Sequence, residues 1–229
     1  MRKPVVVLDY SVDALSGANI SRWFDDPVSV ARVEALEPFP FIDPGSCRAV
    51  IHSGSALSIL DDHPFIEGAA SFIRACASAG VPQMGICYGH QLLARVLCGR
   101  DAVERCETVE LGWLPVDFLP SWPVPGPAGP LRVWQSHYDR VVKLPRGSKI
   151  TASSSHTAIQ AFICHEPALF GTQFHPEFDR ESGNSCFAAD PDIFLRNGVS
   201  LQETLQDGPD LDTGRTVFQH FLQAFEQES

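Results

Sequence analysis

The stretch Val81–Val96, VPQMGICYGHQLLARV, decides the fold. A short apolar segment runs through Gly85-Ile86-Cys87-Tyr88-Gly89 into residues whose apolar positions recur at helical spacing. The order is strand, sharp turn, helix, with a cysteine at the apex. Glycines two residues to either side remove side chains that would collide in so tight a turn. The turn also sets Cys87 beside a helix N-terminus, where free N–H groups and the helix dipole favour a thiolate. Cys87 is therefore read as a candidate nucleophile.

Outward from this stretch the same rhythm repeats. Lys3–Leu8 is continuously apolar, as a buried parallel strand is. A helix is predicted over 15–26, a short strand over Val28–Val33 and a loop at Pro38, Pro40, Pro44 and Gly45. Ala49-Val50-Ile51 reads as a strand that ends at His52-Ser53-Gly54-Ser55, and Phe65–Ala79 as a helix stopped by Gly80. Strands alternating with helices in this way predict β-α-β units and a largely parallel sheet. After Gly99 the pattern changes to short β-prone segments at 102–109, 113–118, 131–135, 139–143, 149–152, 158–164 and 169–174. These are expected to add antiparallel strands, with Pro120–Pro130 as a surface loop. Residues 179–214 form a polar stretch with a short helix near 190–196, and Arg215–Phe225 is a closing amphipathic helix. No repeat or linker divides the 229 residues, so one domain over 1–229 is expected.

Composition narrows the function classes. With 44% hydrophobic and 20% charged residues the chain has the makeup of a globular protein. No apolar run approaches the roughly 20 residues that cross a bilayer, so no membrane association is expected, and the compartment expected is the cytoplasm. A formal charge of −11 argues against a nucleic-acid surface, which needs clustered Lys and Arg. The seven cysteines form no C-x-x-C pair, so neither a disulfide framework nor a metal site is indicated. No cofactor is called for.

A thiol nucleophile needs a base, and the base an orienting group. Six of the eight histidines (52, 63, 90, 156, 165, 220) lack a distinctive neighbourhood and are assigned structural or surface roles. Gly171-Thr172-Gln173-Phe174-His175-Pro176-Glu177-Phe178 differs. Leu169–Phe174 reads as a strand, which puts His175 at the sheet edge where the catalytic groups of open α/β folds gather. Pro176 resists a helix, and in extended chain His175 and Glu177 project from one face. Glu177 can then hold one imidazole nitrogen and leave the other for the thiol.

Four pieces now stand in order: Ser53-Gly54-Ser55, Gly85-Ile86-Cys87-Tyr88-Gly89-His90-Gln91, Trp134-Gln135-Ser136-His137-Tyr138-Asp139 and Phe174-His175-Pro176-Glu177. The chain resembles a class I (triad-type) glutamine amidotransferase domain, particularly the glutaminase domain of GMP synthetase. The resemblance implies a single flavodoxin-like α/β domain, its open, mostly parallel central sheet flanked by helices and extended by antiparallel strands in the second half. It also implies hydrolysis of the γ-amide of glutamine by Cys87, His175 and Glu177 through a γ-glutamyl thioester. The backbone N–H groups of Tyr88 and the Gly54 loop would form the oxyanion hole; that loop departs from the family's commoner Gly-Gly-Pro and Gly-Pro-Gly forms. Gln91, Ser136, His137 and Tyr138 would hold the substrate. No Walker-type loop occurs, so the synthetase that uses the ammonia is expected to be a separate partner. A γ-glutamyl peptidase with the same triad is the alternative. A non-catalytic regulatory role is a third, disfavoured because such a relative would be free to lose any of the three residues.

Overall fold

The computed structural model describes residues 2–122, 130–211 and 213–225. Within them lies a nine-stranded mixed sheet: β1 Val5–Asp9, β2 Val28–Arg32, β3 Ala49–His52, β4 Gln83–Ile86, β5 Val103–Phe118, β6 Pro130–Val141, β7 Lys149–Ser153, β8 Ala161–Cys164 and β9 Leu169–Thr172. The strand order is β2-β1-β3-β4-β9-β8-β7-β5-β6. From β2 to β9 the neighbours are parallel, and from β9 to β6 they are antiparallel. This matches the expected change of pattern midway along the chain.

Helices cover both faces of the parallel half, so its strands are buried on both sides and carry no alternation. Val5 and Val7 turn toward α1 (Ser16–Ser21) and α7 (Thr213–Phe225), where Ile20, Trp23, Val217, Phe218 and Phe221 complete a core. Val6 and Leu8 turn the other way, into a core built with Phe65, Ile73, Leu92 and Leu93 from the region of α2 (Ile66–Ser78) and α3 (Tyr88–Cys98). Among the described residues, no helix is long and apolar enough to cross a membrane.

The second half departs from the expected segments. The stretches 102–109 and 113–118 are one strand, β5, and 131–135 and 139–143 merge largely into β6. The two run together from Val103↔Val141 to Asp117↔Pro130, with an irregularity between Arg105 and Glu110. That bulge, and Gly112 at φ +128°, absorb the polar and glycine residues that read as breaks in the sequence. β7 pairs with β5 only at Asp117 and Phe118, so most of the ribbon leaves the sheet. The predicted surface loop Pro120–Pro130 falls largely on 123–129, outside the described residues. Helix α1 is shorter than the predicted 15–26, and the chain turns back after Ser21 through Trp23 N–H to Ile20 and Phe24 N–H to Ser21.

The stretch 179–214 holds the predicted short helix, α5 (Pro191–Asn197), and also α4 (Arg180–Ala189) and α6 (Leu201–Thr204). The Asp179 side chain caps α4 through Ser182 N–H at 2.8 Å. Phe187 then stacks on Trp134, ring centroids 4.7 Å apart, and Trp113 Nε1 donates to Asn184 Oδ1 at 2.8 Å. The segment is therefore a roof packed on the β5–β6 ribbon.

The turn at Cys87 is as tight as its glycines require. A Cβ on Gly89 would lie 2.1 Å from the carbonyl oxygen of His52, at the end of β3. Overpacking against backbone is not relieved by a rotamer change. Gly89→Ala is expected to cost about 3 kcal/mol, read as a lower urea midpoint with unchanged slope.

Candidate active site

Cys87 joins β4 to α3 at φ 48° and ψ −103°, a backbone conformation that L-residues avoid and that turn nucleophiles adopt. Cys87 is 4% exposed. Strand β9 lies beside β4 with Gly85↔Gly171 and Ile86↔Thr172 in register, so the segment after β9 leaves the sheet next to Cys87. His175 and Glu177 lie on that segment. His175 Nδ1 and Glu177 Oε1 are 2.7 Å apart, and Glu177 is 1% exposed. Burial alone would lower the His175 pKa; the Glu177 carboxylate and the hydrogen-bonded Cys87 sulfur outweigh it and raise it to about 10. The arrangement is a thiol, an imidazole in contact with it, and a buried carboxylate behind the imidazole.

The surroundings fix the pair from three sides. Trp134 sets its ring edge-on to His175 at 4.6 Å, and its carbonyl accepts from His175 N–H at 3.0 Å. The Glu177 carbonyl accepts from Trp23 Nε1 at 3.0 Å and from Arg22 Nη2 at 2.8 Å, at the end of α1. Thr213 Oγ1 donates to the Pro176 carbonyl at 3.3 Å. A Cβ on Gly54 would stand 2.5 Å from His175 Cε1, so the loop after β3 lies against the imidazole. Among the described residues, no hydrogen bond engages the N–H of Tyr88 or of Gly54.

The remaining expected residues divide. Strand alternation in β6 separates Ser136 and Tyr138 from His137. The Ser136 carbonyl faces Cys87 Sγ at 3.9 Å, and the Tyr138 hydroxyl accepts from Asn197 Nδ2 of α5 at 2.7 Å. His137 is 3% exposed, with Nδ1 on the Asp139 carbonyl (3.1 Å) and Nε2 on Glu110 Oε2 (3.1 Å). It supports the strand from behind. Glu110 is held by Ser154, Thr157 and Gln160 as well; burial pushes its carboxyl up, but the bonds from His137, Ser154 and Thr157 outweigh it and keep it below the usual range. Gln91 is buried, its amide nitrogen shared by the Asp139 carbonyl (2.6 Å) and Gln173 Oε1 (3.1 Å). His90, read as structural, is fully buried and packs on Phe162 at 5.3 Å.

Residues 48–190 match the family model "Glutamine amidotransferase class-I". The chain is 34% identical over 130 residues to a glutamine-hydrolyzing GMP synthase subunit of Sulfolobus acidocaldarius, an alignment covering 56% of this chain and 66% of that one. It is 34% identical over 180 residues to the glutamine-hydrolyzing GMP synthase of Mycobacterium leprae, covering 76% of this chain but 32% of the relative. The chain thus spans less than two thirds of either relative. A crystal structure of a glutamine amido transferase from Methylobacillus flagellatus superposes with a TM-score of 0.79 at 23% identity, over 100% of this chain and 98% of that one. This chain belongs to the class I glutamine amidotransferase family.

Proposed function

We propose that the chain is a glutaminase that hydrolyses the γ-amide of glutamine and supplies ammonia to a separate synthetase. One observation carries the reading: Cys87 at a strained strand–helix turn, beside a buried His175–Glu177 pair delivered by the adjacent strand. His175, its pKa raised to about 10, holds the proton given up by the Cys87 thiol, and the resulting thiolate attacks the amide carbon. The tetrahedral oxyanion lies against the N–H groups of Tyr88 and Gly54, each worth on the order of 3 kcal/mol of barrier. His175 then protonates the departing nitrogen and ammonia leaves. Water, deprotonated by the same imidazole, hydrolyses the γ-glutamyl thioester to glutamate. Ser136 and Tyr138 flank the amino-acid end of the substrate, with His137 and Gln91 bracing them from below.

Residues 1–229 act as one unit in this reading, with 179–214 as its roof. The synthetase partner is supported by the relatives, whose names join glutamine hydrolysis to GMP synthesis. The test measures glutamate release from glutamine and from γ-glutamyl dipeptides, with and without a candidate synthetase added. Glutaminase activity that rises when the synthetase is added supports the proposal. Turnover of γ-glutamyl dipeptides by the chain alone, unaffected by any synthetase, replaces it with a peptidase.

A further inference from the structure

Cys87 Sγ has a neighbour that the three-residue mechanism leaves unused. Gln173 is fully buried, and its Nε2 lies 3.6 Å from Cys87 Sγ. The direction of that contact is settled by its neighbours. The Asp139 carbonyl can only accept, so Gln91 must present its amide nitrogen there, at 2.6 Å. The second hydrogen of that nitrogen points to Gln173 Oε1 at 3.1 Å. Gln173 therefore accepts with its oxygen and must turn its NH2 group to the sulfur. Its backbone is fixed as well, since its N–H donates to the Gln160 carbonyl at 2.7 Å.

We propose that Gln173 is a further catalytic residue, donating a hydrogen bond to the Cys87 sulfur, and that Gln91 positions Gln173 for it. A neutral thiol is a poor acceptor and a thiolate a good one, so the donor favours the charged, attacking form. It also gives the sulfur a fixed partner besides the imidazole, at 3.6 Å. Spacing two residues apart puts Gln173, His175 and Glu177 on one side of an extended chain. The titratable groups facing Cys87 are His175, backed by Glu177, and Cys106 of β5.

Alkylation tests this without glutamine. The full chain is treated with iodoacetamide and the modification of Cys87 is followed by peptide mass spectrometry, with the exposed Cys186 as internal control. Gln173→Met keeps the buried volume and removes the donor; it is expected to slow Cys87 alkylation about tenfold near pH 6.5 and far less near pH 10. Gln91→Met is expected to slow it about threefold at the lower pH, and it serves as the test where Gln173→Met does not fold. Wild-type alkylation rates at both pH values in the folded variant overturn the proposal, as does an equal slowing at both. The catalytic role rests on the proposed function, whereas the readout needs no turnover, so a chain inactive on glutamine would refute that function and leave the hydrogen bond to the Cys87 sulfur standing.

Discussion

Cys87→Ala is expected to lower glutamine hydrolysis by at least about 10⁴-fold, because the variant has no nucleophile and keeps only binding and oxyanion contributions. The variant should fold. Alanine fits wherever the cysteine side chain does, and the φ of 48° is maintained by the turn rather than by the sulfur. Covalent labelling by diazo-oxo-norleucine, a glutamine-like electrophile, should vanish with activity. Labelling that persists at full stoichiometry in Cys87→Ala would move the nucleophile to another cysteine. Cys106 of β5, whose sulfur lies 3.8 Å from His137 Nδ1, is held neutral by burial, which pushes its pKa up to about 12.

Glu177→Gln is expected to cost about 10³–10⁴-fold in kcat, the scale seen when a triad carboxylate becomes an amide and the imidazole loses its orienting acceptor. The same variant tests the electrostatics through stability. His175 is raised from 6.5 to about 10 in the folded chain. A group whose folded pKa is raised contributes stability that is complete below the unfolded value and is lost as pH climbs through the folded one. Wild type should therefore lose stability between about pH 6.5 and pH 10. Removing the carboxylate should flatten that loss, so the urea midpoints of the two proteins should converge as pH rises. Other groups ionise in this range too, and subtracting the variant's profile removes their contribution. Parallel profiles would mean that the imidazole carries no charge stabilised by Glu177.

The residues of the candidate site were legible because short-range chemistry marks each of them. Gly85 and Gly89 announce the turn at Cys87, and Pro176 keeps His175 and Glu177 extended on one side. The parallel half of the sheet was legible for a similar reason, since continuous apolar runs have few other homes. Helices α4 and α6 were not, because their stability is tertiary: Gly183 and Asn184 are weak helix formers, and the Asp179 cap and the Trp113–Trp134 surface hold α4 in place. The β5–β6 ribbon was read as fragments because a bulge and a left-handed glycine look like strand ends in one dimension. The places of His137 and Gln91 depended on what stands behind them. Glu110 comes from β5 and Gln173 from the segment just after β9, and no local pattern announces those meetings.

The adjacency of β4 and β9 has a consequence for how the chain folds. Cys87 and Gln173 stand 86 residues apart in sequence, and the antiparallel half of the sheet is made from what lies between. Closing so long a loop is entropically costly, and contacts of that separation form late in folding. A chain emerging from the ribosome would carry Cys87 well before His175 had been synthesised, and the turn is completed only when the Cys87 N–H reaches the Thr172 carbonyl at 2.8 Å. Hydrolytic competence should therefore return in refolding with the slowest structural phase, after the helices around α3 have regained their signal. The proposed glutaminase activity would then appear only once the sheet is closed.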